Sequence, residues 1–111
     1  MKSYTDLEQS RKLAEILPLE SADMYYCYGM NIDTKIWSFD NTPTIIDADN
    51  QVDVDDIPCW SLAALLRELP DTMLGKDKDG YVVMVETMGS GQTTFADNPV
   101  DACYEMIIKL H

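Results

Sequence analysis

The chain is poor in the groups that most enzyme chemistry draws on. Its single histidine is His111. A serine or cysteine nucleophile needs a positioned base, so hydrolase arrangements built on an internal histidine are absent. Cysteine is sparse too: Cys27, Cys59 and Cys103 stand far apart, and none belongs to a C-x-x-C pair. An odd count without ligand spacing argues against both a disulfide framework and a zinc site. Three reduced, structural thiols and no cofactor are the expectation. Base is short as well, since 8 Lys and Arg face 20 Asp and Glu, a formal net charge of −12. That field repels phosphates and anionic lipid, which disfavours direct nucleic-acid or membrane-surface binding and favours a basic partner. No apolar run approaches the ~20 residues of a spanning helix. The opening stretch MKSYTDLEQSRKLAEIL is polar where a signal peptide needs an apolar block, so a cytoplasmic protein is expected. Neither phosphate-loop glycine pattern occurs.

What is present reads as one domain, residues 1–111, in the order α-β-β-(β)-α-β-β-α. Thr5 with Glu8 makes a capping box for a first helix whose Leu7, Ser10, Leu13, Ala14 and Leu17 share a face. Pro18 stops it. Met24 to Tyr28 is an aromatic-rich strand, and Ile36 to Phe39 is a second. Thr44 to Ile46, placed after Pro43, is a third at an edge. Residues 47–56, DADNQVDVDD, hold five acids and no base, which marks a loop. Leu62 to Leu69 is helix-forming, started by Pro58 or Ser61 and ended by Pro70. Tyr81 to Thr87 is β-branched and pairs with Gln92 to Ala96 through a glycine turn at 89–91. Asn98 and Pro99 open a last helix in which Glu105 and Lys109 are spaced to pair. The class is α+β: a small antiparallel sheet of four to five strands with helices packed on one face.

Three segments, LAEILPLESADMYY (Leu13 to Tyr26), DIPCWSLAALLRELP (Asp56 to Pro70) and ADNPVDACYEMIIKL (Ala96 to Leu110), carry a resemblance. Together they resemble a group of small uncharacterised proteins of gut anaerobic bacteria and their phages and mobile elements. The resemblance covers a little over a third of the chain. It implies an accessory role and transfers no catalytic residue.

The candidate binding surface is the first half. From Asp33 to Asp56 there are seven acids and one base, Lys35, a balance of −6. Tyr26 and Tyr28 would share one strand face, and with Trp37 they form an aromatic set open to a partner. Asp47, Asp49, Asp53, Asp55 and Asp56 supply the charge. The leading reading is a non-catalytic acidic protein that binds a basic host or element protein. One alternative is a nucleic-acid mimic that blocks a basic protein. Another is a small enzyme using carboxylates or a metal. No catalytic or metal residue is assigned. Asp77, Asp79 and Glu86 fall at EF-hand spacing around Gly80, but Gly75 replaces the first ligand and the flank reads as a strand.

Overall fold

Helix α1 spans Leu7–Ala14, and Asp6 caps it in place of Thr5. Gln9 N–H donates to Asp6 Oδ1 at 2.8 Å, and Asp6 N–H donates to Gln9 Oε1 at 3.1 Å. A carboxylate outranks threonine as a cap, and Thr5 is fully buried. The capping box is thus real but lies one residue later than expected. Leu13 and Leu17 are buried along the anticipated stripe, and the helix closes before Pro18 is reached.

In this computed structural model the described residues, 2–111, divide into two compact units. The first is Asp6–Trp60. It holds α1, β1 (Met24–Tyr26), β2 (Tyr28–Met30), β3 (Trp37–Phe39), β4 (Thr44–Ile45) and β5 (Ile57–Cys59). Strand β1 lies between β4 and β5, antiparallel to both, with Met24 opposite Ile45 and Cys59. The two prolines near this sheet, Pro43 and Pro58, sit just before or on its edge strands, where a missing N–H costs no ladder bond. α1 packs against β5. Trp60, fully buried, donates its indole N–H to Ser21 Oγ at 2.9 Å, and that hydroxyl donates to the Pro18 carbonyl. Strands β2 and β3 form a separate two-stranded hairpin.

The second unit joins residues 2–5 to Ser61–His111. It holds α2 (Leu62–Glu68), β6 (Thr72–Asp77), β7 (Gly80–Thr87), β8 (Ser90–Ala96) and α3 (Pro99–Leu110). Ser61, not Pro58, caps α2 by accepting from Ala64 N–H. Asn98 Oδ1 accepts from Asp101 N–H at 2.8 Å, and Pro99 opens α3 as expected. The sheet order is β6-β7-β8, and the β7–β8 turn is Met88-Gly89, both at positive φ (50° and 80°). Two consecutive left-handed residues are what a tight hairpin turn requires. Val83 and Val85 point from β7 into a core shared with Val100, Cys103, Met106 and Ile107 of α3. Lys109 Nζ reaches the Thr93 carbonyl at 3.4 Å instead of bridging to Glu105.

The class is α+β, with three helices and antiparallel sheets of three, two and three strands. The expected single sheet of four to five strands is instead eight strands in three small sheets. The cause lies at Cys27, where the aromatic run breaks into β1 and β2, and in two strands the sequence disguises. β5 carries a proline, and β6, TMLGKD, has neither alternation nor β-branched richness after Thr72.

Candidate functional site

The surface built by β2 and β3 brings three large aromatic rings together beside solvent. The register sets Tyr28 opposite Phe39, Gly29 opposite Ser38 and Met30 opposite Trp37. Alternation then puts Tyr28, Met30, Trp37 and Phe39 on one face of the hairpin. The Tyr28 ring stacks on Trp37 at 5.5 Å between centroids and tilts against Phe39 at 4.7 Å. Such offset pairs contribute about 0.5–1.5 kcal/mol beyond their area. The Arg11 guanidinium lies 5.4 Å from the Phe39 ring centroid. Trp37 remains 57% exposed and Tyr28 37%.

Tyr26 does not join this surface. It is 3% exposed, and so is buried with Tyr25 inside the β4-β1-β5 unit. Tyr26 lies opposite Ile57 of β5 in one sheet, whereas Tyr28 lies opposite Phe39 of β3 in another, so the two rings have different surroundings. Of the three aromatic residues named from sequence, Tyr28 and Trp37 are exposed and Tyr26 is buried, while Phe39 and Met30, not named there, lie beside the exposed pair on the hairpin face.

The acidic segment that follows is built from turns of its own. Asp47 Oδ1 accepts from the backbone N–H groups of Asp49 and Asn50, both at 2.8 Å. Gln51 Nε2 donates to the Asp47 carbonyl. Hydrogen bonds to the charged form favour it, and these two N–H donors hold the Asp47 carboxyl below the usual carboxylate range. Asp56 ties the segment to the hairpin: its Oδ1 accepts from Tyr28 N–H at 3.0 Å and its Oδ2 from Asp53 N–H at 2.9 Å. Asp49 and Asp55 face solvent. Of the five acids named from sequence, then, Asp47 and Asp56 shape the loop, Asp53 is tied to it through its backbone, and Asp49 and Asp55 offer open charge.

The field of these carboxylates reaches the hairpin base. The Cys27 thiol is pushed up by burial first, then by Asp56, Asp40 and Asp53. The Tyr25 phenol is raised by burial, by Cys27 and then by Asp56, Asp47 and Asp53.

An open concavity of about 590 Å³ is lined by Leu19, Val52, Val54 and Pro58 together with Glu20, Asp53 and Asp56. Both Asp56 oxygens are already accepting backbone N–H groups there. Among the described residues no three carboxylate, thiol or imidazole groups come together as metal ligands. Asp77 and Asp79 sit at the β6–β7 turn, while Glu86 lies six residues along β7 from Gly80. At about 3.3 Å per strand residue, roughly 20 Å separates them, too far for one cation.

The fold and this surface define a small acidic α+β protein with an exposed aromatic hairpin. Compared with protein-family models, with curated proteins and with solved structures, the chain matches none.

Proposed function

We propose that this is a non-catalytic interaction protein that binds a basic partner protein in the cytoplasm. The contact surface is the face of β2 and β3 together with the acidic loop of residues 47–56. One observation carries the reading. Tyr28 and Trp37 stack on each other in solvent, beside a loop whose carboxylate holds the Tyr28 backbone. Exposed aromatic residues of this kind dominate protein–protein hot spots, and clustered apolar exposure marks interaction surfaces. Carboxylates around such a patch steer a basic partner toward it. The resemblance to proteins of gut anaerobes and their mobile elements supports looking for that partner among host or element proteins.

The test replaces Asp47, Asp49, Asp53, Asp55 and Asp56 together by Asn, which can still accept the turn hydrogen bonds. Tagged wild type and variant are used to capture partners from lysate of the native host, with circular dichroism as the folding control. Loss of a wild-type partner from a folded variant is the expected result. An identical capture profile overturns the proposal.

A further inference from the structure

We infer that the outer edge of β3 accepts an extended, arginine-bearing segment of the partner, which joins the hairpin as a third strand. The inference rests on the reading above and narrows it to one chemistry.

The hydrogen-bond pattern of the hairpin decides which backbone groups are spoken for. Asn31 N–H donates to the Ile36 carbonyl, and Asp40 N–H donates to the Cys27 carbonyl, each at 3.0 Å. In an antiparallel ladder the bonded pairs alternate with unbonded ones. The inward groups therefore belong to Ile36, Ser38 and Asp40, and those of Trp37 and Phe39 point away from β2. Among the described residues β3 pairs with β2 alone. Two adjacent outward positions on an exposed edge are a template for an added strand. The other edge of the hairpin is less open, since Asp56 Oδ1 already takes the outward Tyr28 N–H.

Side chains choose the segment. Residues i and i+2 of an added strand would stand beside Trp37 and Phe39, on the face that carries the rings. The protein itself shows what such a ring accepts, since Arg11 lies over Phe39. A planar guanidinium stacks on an aromatic face where an ammonium offers only a point charge. Seven acids against one base between Asp33 and Asp56 give that cation a complementary field. A second copy of this chain, at −12, meets the same field as repulsion.

Isothermal titration calorimetry of the intact protein tests this with a short synthetic peptide that alternates arginine and threonine. Binding is expected, with weaker binding when lysine replaces arginine and none when glutamate does. N-methylation of alternate amides gives two further peptides, one for each edge of the added strand. One of them should bind about tenfold more weakly than the parent, as loss of two backbone hydrogen bonds implies. Parent-like affinity for both methylated peptides overturns the edge and leaves the acidic, aromatic contact standing. No binding of the arginine peptide overturns the inference, while the five-carboxylate capture experiment decides the broader reading separately. Dimerisation of the protein alone through this edge also overturns it.

Discussion

Cys103 is fully buried in α3, and burial pushes its thiol up from 9.0 to about 11. Above pH 9 the unfolded chain ionises this thiol while the folded chain keeps it neutral. The stability it contributes is thus complete below that pH and lost as pH rises through about 11, a span worth roughly 3 kcal/mol. Urea unfolding followed into this alkaline range should show a falling limb that Cys103→Ala makes shallower. Asp47 behaves in the opposite sense. Its lowered pKa gives stability that is present at neutral pH and is lost as pH falls through the folded value. Asp47→Asn keeps an acceptor for the Asp49 and Asn50 N–H groups but loses the charge, so neutral stability should fall slightly and the acid limb should become shallower. An NMR titration of the Asp47 carboxyl reads the shift directly.

Among the elements, the β6-β7-β8 sheet makes a contrasting pair of glycine predictions. Gly80 has φ +154°, and an added Cβ would lie 2.5 Å from the Ala96 carbonyl oxygen of β8. That obstacle is backbone, which cannot rotate aside. Gly80→Ala should cost about 1–3 kcal/mol by displacing β7 from β8. A Cβ on Gly91 meets nothing within 4 Å and sits in a strand, so Gly91→Ala should be neutral or slightly stabilising. Thermal melts of the two variants check both. Removing the α3 cap by Asn98→Ala should cost about 1 kcal/mol. These three elements were also the readable ones. Asn98-Pro99, the β-branched Tyr81 to Thr87 run and its return strand obey local rules that tertiary context did not override. β5 and β6 escaped because Pro58 and the Leu74-Gly75-Lys76 stretch carry no strand pattern of their own. The same gap explains the candidate site. Exposed aromatics and acidic charge were visible in composition, but the change of strand partner at Cys27, from β5 for Tyr26 to β3 for Tyr28, and the Asp56 bond to the Tyr28 backbone, arise from pairing between distant segments.

Over the whole molecule, the surplus of twelve negative charges works against compaction. Only one ion pair is seen among the described residues, Lys2 to Asp101 at 2.8 Å and partly exposed, and such a pair contributes about 0.2–1 kcal/mol. Screening should therefore stabilise this protein. Its melting temperature is expected to rise as monovalent salt increases from about 0.01 M to about 1 M, over which the Debye length shrinks from roughly 30 Å to roughly 3 Å. A flat response would show the acids to be too dispersed to repel one another. The same salt series should weaken capture of a basic partner, so stability and binding should move in opposite directions.

The placement of the two tryptophans has a spectroscopic consequence. Trp60 is sealed from water and Trp37 is 57% exposed, and both lie within Asp6–Trp60. Intrinsic emission therefore combines a blue-shifted component with a red-shifted one that iodide can quench. The Ser61–His111 segment contains no indole, so under excitation selective for tryptophan every change in emission reports on the surroundings of Trp37 in the hairpin or of the buried Trp60.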